Sequence, residues 1–225
     1  MPKDLKLLLL LGVFGILEST HAAQVALVPV ADNYAQDADI NGVFDTLATR
    51  SGPYFLLHTS LSQAPLLGIE PGDVRSGLEF NISGIPQGSI ITSATFSIYA
   101  AGGYHNSDEN PGPFLGKSVS GYVGDGQITL SDFSNLSVTA NSLTEDFNVT
   151  SFVQSLVDAG NGYAGFIVGE NSLGYGRELY SLDHDEPGGH PPTLVIQYTV
   201  PEVSSFALLS LAGVTSLLRR KRSGF

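Results

Sequence analysis

The amino-acid sequence predicts a mainly β protein: a single antiparallel β-sandwich with one short amphipathic helix, flanked by an N-terminal signal helix and a C-terminal transmembrane sorting helix. Three observations indicate this. Short segments alternate apolar and polar residues, one segment repeats its apolar residues at helical spacing, and an apolar run stands near each end of the chain. The 26 glycines and 12 prolines among 225 residues also favour many turns over long helices.

Residues 1–23 have the layout of a secretory signal peptide. Two lysines precede the apolar stretch 7–17, and a stretch of small residues follows at 20–23. This order of a basic segment, an apolar segment and a small-residue exit is typical of a chain that is exported and then cut. We expect signal peptidase to cut after Ala22 or Ala23, and the residues do not decide between the two.

Residues 24–199 are expected to form one domain, the β-sandwich. They hold four basic residues against 19 acidic ones, a net charge of −15. Such a surface repels nucleic acid and anionic lipid and attracts divalent cations. The chain has no cysteine, so this exported domain must depend on its core or on bound ions rather than on disulfides.

Alternation marks the strands of the domain. Residues 78–82, 94–100 and 194–198 place an apolar side chain at every second position, as strands with one buried face do. We therefore expect Phe80 and Phe96 to be buried. Further strands are expected at 25–30, 54–58, 117–123, 143–148, 165–168 and 178–182. About nine short strands in one unit indicate two packed sheets.

One segment follows helical spacing instead. The apolar residues of 149–157 recur at i, i+3, i+4, i+7 and i+8, which forms a single stripe on a helix. Gly160 follows at the position where many helices end in a left-handed residue. We expect this helix to lie over one end of the sandwich and to close the core, without a role in chemistry.

An acidic loop near the start of the domain is the sharpest candidate for metal binding. Asp37, Asp39, Asn41 and Asp45 stand at relative positions 1, 3, 5 and 9, with glycine at position 6, as in a loop that wraps a hard cation. Calcium is the expected ion, although position 12 is alanine and the bidentate carboxylate of such loops is missing. The alternative is an acidic loop that is only solvated.

The sequence predicts no catalytic residues. It contains no HExxH motif, no His/Cys cluster and no glycine-rich loop followed by a helix and a Lys-Ser/Thr pair. Paired carboxylates serve glycosidases. However, 19 acidic residues in one domain produce such pairs by chance.

Residues 200–225 combine a short motif, an apolar run and a basic end. Val200, Pro201 and Glu202 precede the apolar run 206–218. The basic end consists of Arg219, Arg220, Lys221 and Arg222. As a helix the run is about 20 Å long, against a hydrocarbon core of about 30 Å, so it needs flanking residues to span. The basic residues are expected to stay cytoplasmic, which leaves the domain outside.

This tail resembles the PEP-CTERM sorting signal, in which a membrane protease-transpeptidase, an exosortase, recognises the motif and removes the helix. Val203 stands here where that motif has a second proline. The resemblance implies a protein that is transiently anchored in the inner membrane and then delivered to the cell surface or extracellular matrix. The alternatives are an anchor that is never cut and a helix that lies along the membrane surface.

The domain resembles the DNRLRE-type domain, a jelly roll similar to carbohydrate-binding modules. The matching stretches are 31–34, 75–100, 147–154 and 185–198, in the order of the family. The chain departs from many relatives because it has no tryptophan. The resemblance implies a non-catalytic binding or structural module with polysaccharide as its partner. It also implies Asp32 as a ligand of a structural calcium ion.

Two other functions are weighed beside this binding module. One is an enzyme that acts on extracellular polysaccharide, which a groove with aromatic side chains and two facing carboxylates would favour. The other is a surface protein that associates with ice or mineral, which a flat, regular, Thr-rich face would favour. The fold alone does not decide among the three.

Overall fold

The structure is a computed structural model that describes residues 20–48, 57–62, 71–105, 117–134, 136–171, 174–183 and 190–201. The predicted signal segment before residue 20 and the tail from Glu202 onward, with its apolar run and basic end, lie outside the described residues. In the described ranges no helix has both the length and the apolar character needed to cross a bilayer. The chain divides into two compact units, Met1–His21 with Val200–Phe225, and Ala22–Thr199.

The described residues form thirteen strands, one α-helix and one 3₁₀ helix. The strands are β1 (Thr20–Leu27), β2 (Ala31–Asp37), β3 (Thr46–Leu47), β4 (Leu57–Ser62), β5 (Gly72–Asn81), β6 (Ile90–Ser97), β7 (Ala100–His105), β8 (Lys117–Val123), β9 (Val138–Ser142), β10 (Asp146–Asn148), β11 (Tyr163–Glu170), β12 (Tyr175–Leu179) and β13 (Thr193–Pro201). The α-helix α1 spans Thr150–Ala159, and the 3₁₀ helix spans Leu130–Phe133.

The strands form two antiparallel sheets. The smaller sheet has four strands in the order β1-β13-β6-β10. The larger sheet has nine strands, with the order β7-β12-β4-β5-β11-β8-β9 and with β2 and β3 beside β5. The mainly β prediction is confirmed, and two antiparallel sheets with one helix are consistent with a β-sandwich.

Strand β5 organises the larger sheet because it is long enough to hold three neighbours. Its first residues, Gly72–Val74, pair with β4, and Ser76–Asn81 pair with β11. Strand β2 pairs with Asp73–Glu79 and therefore occupies the opposite edge. The larger sheet thus divides beside β5 into two branches, β4-β12-β7 and β11-β8-β9.

One apolar core contains residues of both sheets. Phe96 of the smaller sheet stacks on Phe166 of the larger sheet with 4.8 Å between ring centroids. Phe80 packs edge-on against these two rings at 5.7 and 5.9 Å. All three side chains are fully buried. The predicted inward orientation of Phe80 and Phe96 is therefore confirmed.

Helix α1 forms where the apolar spacing predicts it. Val153, Leu156 and Val157 are buried in the core. Gly160 is left-handed at φ 74°, and its N–H is directed at the carbonyls of Leu156 and Val157. The glycine therefore ends the helix in a conformation that other residues adopt only at a cost.

The same helix also covers the edge of β6 next to β10. The Thr150 hydroxyl accepts a hydrogen bond from the Ala94 N–H at 2.9 Å. The Gln154 side chain accepts from the Ile91 N–H at 2.7 Å and donates to the Ser89 carbonyl at 3.1 Å. These side chains satisfy backbone groups that would otherwise need a neighbouring strand.

Several strands differ in position from the alternation. Strand β1 ends at Leu27, although the pattern indicates a strand over 25–30. Strand β12 ends at Leu179, although the pattern indicates 178–182. Strands β2 and β9 are absent from the prediction because their polar sequences lack an alternating apolar row. Pairing with a neighbouring strand, rather than an apolar pattern, fixes such strands.

Candidate functional site

Three of the four predicted loop ligands come together after β2. One carboxylate oxygen from each of Asp37, Asp39 and Asp45 lies within 4.8 Å of the other two. Asp37 is buried, and the other two residues are exposed. Across the described ranges, this is the one such group of three or more His, Cys, Asp or Glu residues. The group is therefore open to solvent on one side.

The Asp37 carboxylate holds the turn of this loop. It accepts hydrogen bonds from the Asn41 N–H at 3.2 Å and from the Gly42 N–H at 2.6 Å. Gly42 is left-handed at φ 88°, which glycine adopts without strain, and Ile40 is also left-handed at φ 55°. The loop thus folds around the side chain at its first position.

Asn41 contributes to the loop mainly by orienting Asp39. Its side-chain oxygen accepts from the Val43 N–H at 2.8 Å, and its amide donates to the Asp39 carboxylate at 2.9 Å. Oxygen ligands suit calcium. Asp37, Asp39 and Asp45 are accordingly the residues that would hold such an ion.

Asp32 lies apart from this group. It is buried in β2, and its carboxylate accepts a hydrogen bond from the Leu182 N–H at 2.9 Å. The side chain therefore ties β2 to the segment that follows β12. It is not one of the three grouped carboxylates.

The sorting motif is described only at its beginning. Val200 and Pro201 are the last two residues of β13, with Val200 half-buried and Pro201 exposed. Glu202 and the basic residues Arg219, Arg220, Lys221 and Arg222 lie outside the described residues.

Glu79 of β5 is a fully buried acid that the sequence analysis does not identify. Its carboxylate accepts hydrogen bonds from the Asp125 N–H at 3.1 Å and from the Gly126 N–H at 2.5 Å. A Cβ at position 124 would lie 2.6 Å from the Glu79 carboxyl carbon, so a larger residue there would displace the Glu79 side chain. Burial raises the pKa of Glu79, the Gly126 N–H lowers it, and Asp132 raises it.

The Tyr122 side chain lies beside Glu79 and over Gly165. Its hydroxyl lowers the pKa of Glu79, and burial together with Glu79 raises the pKa of Tyr122. In the part of the chain that the structure describes, neither the Tyr122 hydroxyl nor Oε1 of Glu79 has the geometry of a hydrogen bond. Both atoms are closed off from solvent, so the pair is not accessible to a substrate.

A second group of buried charges lies on the core side of the larger sheet. The Glu170 carboxylate accepts hydrogen bonds from the Arg177 guanidinium at 3.1 Å and the Thr59 hydroxyl at 2.8 Å. Lys117 is the cross-strand neighbour of Glu170 and donates to the Ile98 carbonyl at 3.4 Å. Burial lowers the pKa of Lys117 to about 8 and raises that of Glu170.

Glu79 and Glu170 do not form a catalytic pair. Glu79 faces the same side of the sheet as its cross-strand neighbour Gly165. Glu170 follows Gly165 by an odd number of residues in β11 and therefore faces the other side. A glycosidase needs two carboxyl groups that flank one bond. Glu79 and Glu170 cannot do so.

The outer face of the smaller sheet carries mostly polar residues without charge. Because Ala94, Phe96, Leu194 and Ile196 face the core, the alternate residues face outward. Cross-strand pairing arranges nine of them in three rows: Asp146, Ser97 and Thr193; Asn148, Thr95 and Val195; Ser93, Gln197 and Gln24. We call these nine residues the neutral face. Neighbouring strands lie about 4.8 Å apart, and alternate residues along a strand about 6.7 Å apart.

The neutral face holds one charged residue. The Asp146 carboxylate accepts a hydrogen bond from the Ser97 hydroxyl at 2.5 Å. The Gln197 amide donates to the Gln24 side-chain oxygen at 3.3 Å. Serine, threonine, asparagine and glutamine offer both donors and acceptors. The neutral face therefore suits a partner that also carries many uncharged donors and acceptors.

The outer face of the larger sheet is acidic and covered. Phe44 and Phe133 pack on each other at 5.4 Å and, with Ile167, form a second small core over it. Arg75 lies 5.4 Å from the Phe44 ring centroid and pairs with Asp73 at 2.6 Å. We call this surface the acidic face and define it by Asp37, Asp39, Asp45, Asp73 and Glu79.

No protein-family model and no curated protein matches this chain. The fold and the two faces define its class as a mainly β domain with two antiparallel sheets, one outer face being neutral and the other acidic. The sorting tail and the jelly-roll family that the sequence resembles stay predictions.

Proposed function

We propose that the protein is exported to the cell surface or extracellular matrix and that its β-sandwich, of the jelly-roll type, is a non-catalytic binding module for neutral polysaccharide. The observation that carries this proposal is the neutral face. Its nine residues include one charge, and that charge is hydrogen-bonded to Ser97. The domain as a whole has a net charge of −15.

Charge and hydrogen bonding favour a neutral partner. Sugar hydroxyl groups donate and accept hydrogen bonds, as do the hydroxyl and amide groups of the neutral face. An acidic polysaccharide would be repelled by the remainder of the domain unless a divalent cation bridges the two. The expected ligand is therefore a polysaccharide without carboxylate or sulfate groups.

The signals predicted at the two ends of the chain would direct its export and its sorting to the surface. Signal peptidase would remove the first 22 or 23 residues, and an exosortase-type protease would act at Val200-Pro201-Glu202. Before that second cut, the apolar run 206–218 would hold the protein in the membrane, with the basic residues on the cytoplasmic side. The proposed mature module is residues 24–199.

The binding module is better supported than an enzyme. Among the described residues, Glu79 is closed off from solvent and Glu170 faces the other side of its sheet. The second candidate is association with ice or mineral, which the four hydroxyl residues of the neutral face, Ser93, Thr95, Ser97 and Thr193, favour. The two candidates share a surface and differ in the partner.

The experiment is affinity electrophoresis of the exported protein. We expect retardation in gels that contain a neutral polysaccharide such as dextran or hydroxyethyl cellulose, at low and high salt. We expect none in gels that contain alginate without calcium. Retardation in alginate alone would contradict the proposal. Adsorption to ice or carbonate mineral without retardation in any neutral gel would favour the second candidate.

A further inference from the structure

The two ends of the described chain lie side by side in the smaller sheet. Strand β1 is hydrogen-bonded to β13, and the Gln197 amide reaches the Gln24 side chain at 3.3 Å. The two strands run antiparallel, with Gln24 beside Gln197. Counting three residues back from Gln24 and three residues forward from Gln197 therefore places His21 beside Val200.

The motif end of β13 has one strand neighbour rather than two. Pairing between β13 and β6 ends at Thr199 and Ile90, and Ile90 is the first residue of β6. Val200 and Pro201 extend beyond that point. Among the described residues, the first residues of β1 are therefore their strand partner.

Signal-peptide cleavage would remove that partner. Strand β1 has eight residues, beginning at Thr20. Hydrolysis of the peptide bond after Ala22 removes the first three, and hydrolysis after Ala23 removes the first four. Either cut takes away the residues beside Val200 and leaves Gln24 beside Gln197.

We infer that Val200 and Pro201, the beginning of the sorting motif, are held in a strand until the signal peptide is removed, so that cleavage at the N-terminal end permits cleavage of the tail. An enzyme that takes an extended peptide as an added strand needs its free backbone N–H and C=O groups. Pairing with β1 occupies those groups at Val200. This inference rests on the proposed function, because it assumes that both ends are processed.

The test is pulse labelling of the full chain in its native host, with both ends followed by mass. In the wild-type chain we expect the signal peptide to be lost before the tail. The double substitution Ala22→Leu with Ala23→Leu blocks signal-peptide cleavage and keeps β1 a strand. We expect this variant to lose tail cleavage.

A third substitution separates strand pairing from membrane retention. Adding His21→Pro to the blocked chain removes a backbone donor from β1 beside Val200, since proline has no N–H. We expect it to restore tail cleavage while the signal peptide stays attached. The matched control, His21→Val in the blocked chain, keeps the strand and should leave the tail uncut.

The possible outcomes distinguish failure of this inference from failure of the proposed function. A blocked chain whose tail is still cut overturns the inference and leaves the proposed function intact. A blocked chain that stays uncut with His21→Pro shows that retention, not pairing, controls the order, and this also overturns it. A wild-type chain whose tail is never cut overturns the proposed sorting and the inference with it.

Discussion

The two outer faces of this domain differ in almost every property. The neutral face is mostly polar and holds one charge, that of Asp146, which is hydrogen-bonded to Ser97. The acidic face groups three carboxylates within 4.8 Å, two of them on exposed residues, and is partly covered by a second small core. Both faces are built on the same central core, because each strand alternates its side chains between the core and one outer face.

The difference shows how one strongly acidic domain can present a surface for an uncharged partner. On the neutral face of the smaller sheet Asp146 is the one acid, whereas the acidic face holds five. The neutral face is left free for hydrogen bonding.

The largest expected effect tests the core that both faces share. Phe96 faces inward and Thr95, next to it in β6, faces outward. Phe96→Ala should lower the free energy of unfolding by about 3 to 5 kcal/mol, because it leaves a cavity among Phe80, Phe147 and Phe166. Thr95→Ala, the matched control, should cost about 1 kcal/mol or less. Urea denaturation of both variants gives the comparison, and equal losses would mean that the register of β6 is wrong by one residue.

A smaller effect concerns calcium at the acidic face. Three grouped carboxylates repel one another, and an ion that binds only the folded state stabilises it by about 2.7 kcal/mol at a hundredfold excess over Kd. Millimolar calcium should therefore raise the melting temperature by several degrees, and by more than magnesium, which demands a stricter geometry.

The control for the calcium effect is a second acid outside the group. Asp39→Asn should weaken the shift, whereas Asp125→Asn should leave it unchanged, because Asp125 is not one of the grouped carboxylates. If calcium, magnesium and matched sodium chloride give equal shifts, the effect is only screening. The metal assignment of the acidic face would then be wrong.

A third effect, the smallest on stability, concerns the pH dependence of the acidic face. Burial raises the pKa of Glu79 in the folded chain above the ordinary glutamate value of 4.5. The folded state therefore binds more protons just above pH 4.5, and the free energy of unfolding falls as pH rises through that window. Glu79→Gln should remove this decline, since an amide keeps an acceptor for the Asp125 and Gly126 N–H groups.

Denaturation at several pH values checks this prediction. The matched control is Glu145→Gln, which changes a less buried glutamate. The control should keep the wild-type profile. A Glu79→Gln protein that is less stable than the wild type at neutral pH would show that the buried carboxylate stabilises the domain in its charged form.

Sequence patterns predict the parts of the fold that one segment determines alone. The alternation around Phe80 and Phe96 and the stripe from Val149 to Val157 each place their apolar side chains in the core. The spacing of Asp37, Asp39 and Asp45 likewise brings three carboxylates together. These features depend on local geometry, which a short stretch of sequence specifies.

Features that depend on distant segments are not visible in such patterns. Alternation places Glu79 on the outer side of β5, where an exposed side chain is expected, but the segment around Gly124 covers it. Glu170 of β11 and Arg177 of β12 belong to different branches of the larger sheet. Their contact therefore depends on how both branches are arranged beside β5. The neutral face exists only once four strands from distant parts of the chain are in register.

The central claim is that the neutral face, and not the acidic face, binds polysaccharide. The most direct measurement compares the dissociation constants of two arginine variants for one neutral polysaccharide. Thr95→Arg places a long charged side chain within the neutral face, and Gln127→Arg adds the same charge at an exposed position in the segment beside Glu79. The account predicts that Thr95→Arg raises the dissociation constant and that Gln127→Arg leaves it unchanged. A tenfold rise corresponds to a loss of about 1.4 kcal/mol of binding free energy. Equal binding by the two variants, or weaker binding by Gln127→Arg alone, would contradict it.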